Sequence, residues 1–387
     1  MPQVAIVGAG LGGLTAALAL QRFGIDVTVY EQSAQLGEVG AGITLHPNAT
    51  KVLTFLGLGD ALAATGVAVD HTAIKHYQTG KILVETRKGD EWVRRTGVNM
   101  YQIHRADLHG ALERAVRAND PNCIRASHNL VGLSELGTRV DLRFEDRPSA
   151  TADVLIGADG IKSLVRKSLF SPEAPRFTGR IAWRGVIPRV RLPDEVIWPG
   201  SGIFIGPERT FGWYQIRSKT MINFVGTARR DGWAEEGWSI PAAVGDVLDE
   251  FKDWHPHART IIAATPADAC FKWALFAHAP LETWHKGRVA VLGDAAHPML
   301  PFMGQGAAQA IEDAIILARC LRETSDVPGA LARYERARKE RATFVQLEST
   351  AKAERWESPK TDSYGPQTHR NEDTLGIIDY DAATAPI

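Results

Sequence analysis

The chain of 387 residues is long enough for about two domains, and its 44% hydrophobic and 23% charged residues are ordinary for a globular protein. A formal net charge of −1 argues against binding to nucleic acid or to an anionic membrane surface. The three cysteines lack the spacing of a metal or redox pair, and no apolar run reaches the roughly 18 residues of a membrane span. We therefore expect a cytoplasmic protein without a secretion signal or a bound metal.

The first elements predict a βαβ unit. Residues 3–8 are a short apolar run closed by glycine, residues 11–24 have helical composition, and residues 25–31 are rich in β-branched side chains. An amphipathic helix is predicted at 105–119, and a further strand, turn and helix at 153–170. This alternation is typical of an α/β fold with a parallel sheet.

The pattern changes in the middle of the chain. Residues 179–270 contain short strands rich in Trp, Phe and Ile, and residues 70–100 alternate polar with apolar side chains. We predict an antiparallel sheet in a second domain, inserted into the first. A Rossmann-like domain then comprises residues 1–70, 97–178 and 271–356, and a substrate domain comprises residues 71–96 and 179–270. A long helix ends the first domain, and residues 357–387 are expected to be a loosely packed tail.

The glycine motif after the first strand predicts a dinucleotide site. Gly8 permits the tight turn, Gly10 the approach of a pyrophosphate and Gly13 the close packing of helix on strand, while Leu11 opens the helix. Glu31 ends the second strand, where a carboxylate suits the hydroxyls of an adenosine ribose.

A second stretch, GDAAHPMLPFMGQGAAQAIEDA at 293–314, distinguishes FAD from NAD. Asp294 follows an apolar strand and is placed to accept hydrogen bonds from ribityl or ribose hydroxyls. The helix after Gly304 exposes its first N–H groups, at Gly306, Ala307 and Ala308. Their position and chemistry fit the N1–C2=O edge of a reduced flavin.

Three motifs in order, GAGLGG at 8–13, GADG at 157–160 and GDAAHPMLP at 293–301, carry a family resemblance. The sequence resembles the single-component FAD-dependent aromatic hydroxylases of the para-hydroxybenzoate hydroxylase type. Within that group it is most similar to the salicylate hydroxylases and the 6-hydroxynicotinate 3-monooxygenases.

The resemblance implies roles for further residues and a reaction. Arg105 and Asp159 would bind FAD, Gly42 and Ile43 would run along the flavin ring, and Pro301 would direct its carbonyl to the site of hydroxylation. NADH or NADPH would reduce FAD, and O2 would then yield a flavin C4a-hydroperoxide that hydroxylates a small phenolic acid. A homodimer is the family expectation.

Candidates for catalysis and substrate binding lie on two predicted strands. Thr44 and His46 share one face, as do Trp213 and Gln215, with Tyr214 opposite. His46 is the candidate base, and a histidine bonded to nearby backbone is the alternative. Arg184 and Arg217 are candidates for a substrate carboxylate, and exposed strand arginines are the alternative.

The chain departs from its relatives at two positions. The 6-hydroxynicotinate enzymes have histidine where this chain has Thr44. They and the salicylate enzymes usually have histidine where it has Phe302, a predicted substrate contact. A larger polyketide, antibiotic or quinone substrate, or a flavin-binding protein without turnover, therefore stays open as an alternative.

Overall fold

The computed structural model describes residues 2–37, 41–232, 240–322 and 325–387. Its strands are β1 (Val4–Val7), β2 (Val27–Tyr30), β3 (Gly42–Leu45), β4 (Val67–Ala68), β5 (His71–His76), β6 (Ile82–Arg87), β7 (Tyr101–His104), β8 (Ile124–Arg125), β9 (Leu130–Leu136), β10 (Arg139–Phe144), β11 (Arg147–Ala152), β12 (Val154–Gly157), β13 (Arg176–Pro188), β14 (Ser201–Gly206), β15 (Arg209–Ile216), β16 (Met221–Arg229), β17 (Ile240–Pro241), β18 (Cys270–Ala277), β19 (His285–Lys286) and β20 (Val289–Val291).

The α-helices alternate with these strands in the first half of the chain and dominate its last third. They are α1 (Leu11–Arg22), α2 (Pro47–Phe55), α3 (Gly59–Thr65), α4 (Asp90–Thr96), α5 (Arg105–Asn119), α6 (Leu164–Leu169), α7 (Asp194–Ile197), α8 (Val244–Glu250), α9 (Pro256–Ala263), α10 (Gly306–Arg322) and α11 (Val327–Trp356). No helix of the described residues is both long and apolar enough to cross a lipid bilayer.

A six-stranded sheet forms the core of the α/β part, in the order β19-β20-β12-β1-β2-β8. The strands from β20 to β8 pair in parallel, and only the β19–β20 pair is antiparallel. The central strand β1 is buried along its whole length because helices cover it, as parallel sheets require. Helix α1 packs against both α5 and α10, and these three helices enclose the largest apolar cluster.

An eight-stranded sheet forms the second layer, in the order β17-β18-β13-β16-β15-β14-β5-β6. Its strands come from residues 71–87 and 176–277, and every pair is antiparallel except β14–β5, which is parallel. The predicted architecture, a Rossmann-like α/β domain with an inserted antiparallel sheet and a C-terminal helix, is confirmed.

Two local features are not among the sequence predictions. Pro47 begins α2, because a proline needs no N–H partner at the first helical position. Residues 130–152 form an additional three-stranded antiparallel sheet, β9 to β11. The pattern of polar and apolar residues in this segment did not lead to a prediction of these strands.

The prediction of a loosely packed tail is wrong. Ile377, Ile378 and Ala382 are buried, and Ile377 joins Met303 in a small apolar cluster. The Arg341 guanidinium of α11 donates to the carbonyl oxygen of Ile377 at 2.7 Å. A few well-placed apolar side chains and backbone contacts therefore fix a segment whose overall composition is polar.

Candidate active site

The first glycine run forms the turn between β1 and α1. Gly8 has φ +103°, a conformation that side chains rarely adopt. A Cβ at Gly13 would overlap the carbonyl oxygen of Gly8, so only glycine lets α1 pack there. A Cβ at Gly10 would meet no protein atom within 4 Å, and Gly10 and Leu11 line a cavity. The run thus combines a tight turn with open space before the positive end of α1, which suits a pyrophosphate.

Glu31 holds this turn from the end of β2. Its Oε2 accepts a hydrogen bond from the backbone N–H of Ala9 at 2.9 Å, and its Oε1 accepts one from Ser33 at 2.8 Å. Glu31 is not among the residues that line the cavity. Each carboxylate oxygen keeps a second acceptor position, so binding of a ribose hydroxyl stays a prediction.

The second glycine-rich stretch, at 293–314, lines the same cavity. Asp294 is exposed there, directly after β20. Helix α10 begins at Gly306, and its first closing bond runs from the N–H of Gln309. The N–H groups of Gly306, Ala307 and Ala308 precede that bond, as the sequence predicts. Gly306 and Ala307 line the cavity, whereas Ala308 is buried behind them.

Strands β3 and β7 bring Arg105 beside the predicted flavin contacts. Gly42 pairs with the last residue of β7, and the N–H of Arg105 donates to the carbonyl oxygen of Ala41 at 2.8 Å. Gly42, Ile43 and Arg105 all line the cavity. The N–H of Gly42, however, donates to Asn223 Oδ1 of β16 at 2.8 Å, which ties β3 to the second sheet and engages that N–H within the protein.

Asp159 lies at the turn after β12 but faces away from the cavity. Its carboxylate accepts hydrogen bonds from the Ser163 hydroxyl at 2.5 Å and from the Val165 N–H at 3.2 Å. Its neighbours Gly160 and Ile161 line the cavity instead. Asp159 therefore shapes the turn that contacts the cavity, and its side chain is not a cavity contact.

These residues surround one cavity of about 600 Å³ between the two sheets. The cofactor candidates lie along one side of it, and side chains of β5, β6, β14, β15 and β18 line the rest. The predicted cofactor and substrate positions are thus adjacent, although they come from distant parts of the sequence.

Thr44 and His46 face the cavity on the same side, as the strand period predicts. A Cβ at Gly304 would lie 3.4 Å from His46 Nε2 and 3.6 Å from Thr44 Cβ. The His46 ring makes no hydrogen bond to another described residue, so the alternative of a backbone-bonded histidine is not what the described structure shows. Burial lowers the pKa of His46 to about 4, and the imidazole is neutral at pH 7.

The three candidate residues of β15 do not all face the cavity. Tyr214 lines the cavity, whereas Trp213 and Gln215 point away from it. Trp213 is fully buried in the core on the other face of the sheet, and its indole N–H donates to the carbonyl oxygen of Ile197 at 2.9 Å. The alternation was right, but both faces of β15 carry large side chains, so the sequence does not show which one faces the cavity.

The two candidate arginines have different positions. Arg184 of β13 lines the cavity, with its guanidinium 5.0 Å from the ring centre of Trp273. Arg217 lies in an exposed turn, where its guanidinium pairs with the Asp107 carboxylate at 3.1 Å. The prediction of Arg217 as a substrate ligand is therefore wrong, since its side chain is held outside the cavity.

Pro301 and Phe302 lie between the cofactor side and the substrate side. Both line the cavity, and the ring of Phe302 meets Trp356 of α11 edge-on at 6.3 Å. Ser349 of α11 fixes this turn, because its hydroxyl donates to the carbonyl oxygen of Leu300 at 2.6 Å.

Known proteins resemble this chain along most of its length. Residues 1–349 match the model of a family described as the FAD binding domain. The chain belongs to this FAD-binding family. A 3-amino-4-hydroxybenzoate 2-monooxygenase of Streptomyces platensis is 35% identical to this chain over 389 residues, which cover 99% of this chain and 97% of the relative.

Two further similarities agree with that assignment. A 6-hydroxynicotinate 3-monooxygenase of Pseudomonas fluorescens is 35% identical over 350 residues, which cover 89% of each chain. A solved structure of a salicylate hydroxylase substrate complex superposes with a TM-score of 0.83 at 26% identity and covers 98% of this chain and 96% of its own. The enzyme is an FAD-dependent aromatic monooxygenase that uses NAD(P)H and O2, and the predicted family, cofactor and type of reaction are confirmed.

The residues of this chain fit FAD. The open space at Gly10 and the first N–H groups of α1 suit its pyrophosphate. The first N–H groups of α10 line the same cavity and suit the pyrimidine edge of the flavin. When bound, FAD supplies the redox chemistry and the activated oxygen, while the protein supplies the position and the surroundings.

A buried ionic network supports the start of α10. Arg338 of α11 is fully buried and donates to Glu312, and to Asp313 at 2.8 Å. Asp313 also accepts from His297 at 2.6 Å and from the Gly293 N–H at 3.0 Å. Although burial opposes its ionisation, the charges of His297 and Arg338 lower the pKa of Asp313 to about 2. The network joins α10 and α11 to the turn that carries Asp294.

The sequence analysis missed the residues that form the far end of the cavity. His369, Asn371 and Glu372 of the tail line it, together with Lys352 of α11 and Lys88 after β6. No periodicity or motif marks them, because a non-repetitive segment brings them there. The polar character of 369–372 is the only signal in the sequence, and solvent-exposed loops share it.

Proposed function

We propose that the enzyme hydroxylates a small aromatic acid that carries a hydroxyl group, of the salicylate, hydroxybenzoate or hydroxynicotinate kind. One observation carries this proposal. One cavity of about 600 Å³ is lined both by the residues that fit FAD and by strands of the eight-stranded sheet, so an aromatic ring bound against these strands would lie next to the flavin.

The walls of the cavity support an aromatic acid. Ile74, Val84 and Ile203 provide apolar surface for a ring, and Arg184 provides a cation. Apolar walls with a few placed polar groups are typical of a site that orients a small ligand and keeps water out.

Two side chains are suited to the hydroxyl group of such a substrate. His46 is neutral at pH 7, so its imidazole can accept a hydrogen bond from the phenol. Burial raises the pKa of Tyr214, which therefore keeps its proton and can donate to a substrate oxygen. Thr44 lies beside His46, and Pro301 borders the position of the flavin.

The printed names of the relatives agree with this substrate class but do not give the individual compound. They name 3-amino-4-hydroxybenzoate and 6-hydroxynicotinate, which are both hydroxylated aromatic acids. Thr44 and Phe302 stand where the resemblance implies histidine, so we expect a preferred substrate different from 6-hydroxynicotinate.

The test is NAD(P)H oxidation by the FAD-bound enzyme in air, with a panel of hydroxybenzoates, hydroxypyridine carboxylates and uncharged phenols. We expect one acid to stimulate oxidation and to give a product that is heavier by one oxygen atom, or one that has also lost CO2. Stimulation only by a bulky polycyclic or quinone compound would refute the small-acid proposal.

We further propose that residues 71–96 and 179–270 form the substrate domain, since their strands share the eight-stranded sheet. The three cysteines are buried and form no disulfide with one another, which supports a cytoplasmic location. A homodimer is proposed on family resemblance, and light scattering on the purified enzyme tests it.

A further inference from the structure

The far end of the cavity is built from three separate parts of the chain. The tail contributes His369, Asn371 and Glu372, α11 contributes Lys352, and the segment between β6 and α4 contributes Lys88. None of these residues belongs to the glycine-rich stretches at 8–13 and 293–314 that fit FAD.

Glu372 and Lys352 form an ion pair in this wall. Lys352 Nζ lies 2.5 Å from Glu372 Oε1, and the two side chains are 5% and 12% exposed. Although burial opposes its ionisation, the ammonium of Lys352 lowers the pKa of Glu372 to about 2. The pair is therefore fully charged at pH 7. Lys352 Nζ also lies 4.6 Å from the ring centre of Trp356, and both residues line the cavity.

Lys88 has no carboxylate partner of its own among the described residues. Its Nζ donates to the thioether sulfur of Met100 at 3.3 Å and lies 5.0 Å from the ring centre of Trp92. A thioether is a weak acceptor, and an ammonium has three N–H donors. Burial lowers the pKa of Lys88, and the charge of Glu372 opposes that shift. Among the described residues, the Lys88 ammonium therefore donates to a weak acceptor, and it can still donate to a stronger one in the cavity.

The neighbouring histidines do not supply further charge. Asn371 Oδ1 accepts the N–H groups of Asp373 and Thr374, so its amide nitrogen faces His369 Nε2 at 3.1 Å. The proton of His369 is then on Nδ1, which donates to the Tyr364 hydroxyl at 2.9 Å. Burial lowers the pKa of His369 to about 4, as it does for His46.

The charges around this end therefore do not cancel. Lys88 and Lys352 carry two positive charges and Glu372 one negative charge, while both histidines are neutral at pH 7. The next acidic residue, Asp373, pairs with Arg95 at 2.5 Å. One positive charge in excess, in the wall of a largely apolar cavity, is suited to bind one anionic group.

We propose that Lys88 and Lys352 bind the carboxylate of the aromatic substrate, and that the tail, through Glu372, positions Lys352 for this contact. The inference rests on the proposed function and adds the location of the acid group. It assigns specificity for the acid to the junction of the tail with α11, and it makes Lys88 and Lys352, in place of Arg184, the residues that bind the substrate carboxylate.

The test compares each acid of the panel with its uncharged primary amide, by calorimetric titration of the FAD-bound enzyme without NAD(P)H. We expect the unmodified enzyme to bind its best acid more tightly than the amide. Lys88→Met should weaken binding of the acid about 10- to 100-fold, as expected for loss of a charged hydrogen bond, and change binding of the amide little.

Two further variants guard against effects on folding. The double variant Lys352→Met and Glu372→Gln removes both charges of the pair together. It should also weaken binding of the acid more than binding of the amide. Lys360→Met is the matched control, since this tail lysine is exposed outside the cavity, and it should leave both affinities unchanged.

The outcomes separate this inference from the proposed function. Equal effects of Lys88→Met on acid and amide, or no preference for the acid in the unmodified enzyme, would overturn the assignment of the carboxylate site. Product mass tests the proposed function independently of these affinities. A hydroxylated product from a small aromatic acid would support the proposed reaction even if Lys88→Met affected the acid and its amide equally.

Discussion

Two glycines of the first loop have different structural reasons to be glycine. At Gly13 the obstacle is the protein itself, because a Cβ would overlap the carbonyl oxygen of Gly8. At Gly10 no protein atom lies within 4 Å of an added Cβ, and the space belongs to the cavity. One glycine is therefore needed for folding and the other for the ligand.

This difference predicts opposite behaviour of two alanine variants. Gly13→Ala should lower the free energy of unfolding of the FAD-free protein by about 2 kcal/mol or more, because the helix must shift. Gly10→Ala should change that free energy by less than about 1 kcal/mol but weaken FAD binding at least about tenfold. Urea unfolding and FAD titration measure the two effects, and equal destabilisation by both variants would contradict this division.

His46 should make the stability of the protein depend on pH. Its pKa is about 4 when folded and near 6.5 when unfolded, so between these values the unfolded chain binds more protons. The stability that His46 contributes is complete above pH 6.5 and falls as the pH drops toward 4, by about 3 kcal/mol in all. We expect His46→Gln to reduce the loss of unfolding free energy between pH 7 and pH 4.5, measured by urea denaturation. Parallel pH dependences of the two proteins would show that His46 titrates normally.

At the scale of elements, α10 and α11 act as a pair. Helix α10 starts at the cofactor side of the cavity, and α11 fixes it through Arg338 while also carrying Lys352 and Trp356 to the substrate side. A rigid junction between the two helices therefore sets the distance between flavin and substrate.

Removal of the buried arginine should break this junction. Arg338→Met leaves Glu312 and Asp313 with less compensation in the core, and we expect a loss of about 3 kcal/mol or more in unfolding free energy. Arg336→Met, on the exposed face of the same helix, is the control and should change it by less than about 0.5 kcal/mol. Similar denaturation midpoints for both variants would mean that the buried network is not needed for stability.

The sequence predicts elements well where one residue type has one physical function. The glycines at 8–13, the strand-to-helix turn at 293–306 and helix α5 follow from backbone geometry and periodicity, and the structure has them where predicted. It predicts less well which side of a strand faces a ligand. The large side chains of Trp213 and Tyr214 are equally compatible with a core and with a cavity wall, and only the packing of α7 and α9 on one face decides between them.

At the scale of the whole molecule, the tail completes the cavity. Residues 369–372 lie more than 280 residues after β5 and β6 and line the same cavity as these strands. Such long-range placement depends on the assembled tertiary structure, which is why local patterns in the sequence did not predict it.

Deletion of residues 361–387 tests the role of the tail and keeps Glu357, whose carboxylate binds Arg180 at 2.9 Å. We expect a stability loss of about 3 kcal/mol from the exposure of two buried isoleucines. FAD binding should persist, whereas hydroxylated product per NAD(P)H consumed should fall, because water then enters the substrate end. Anaerobic FAD reduction and product yield distinguish the steps, and full coupling after deletion would show that the tail is dispensable.

The position of the tail also orders events during synthesis. Every other wall of the cavity, including the first turns of α1 and α10 and the whole of α11, leaves the ribosome before residues 369–372 do. A growing chain therefore acquires a complete cofactor groove before it has a chamber that holds substrate. A flavin captured at that stage would be sealed in by the residues translated later.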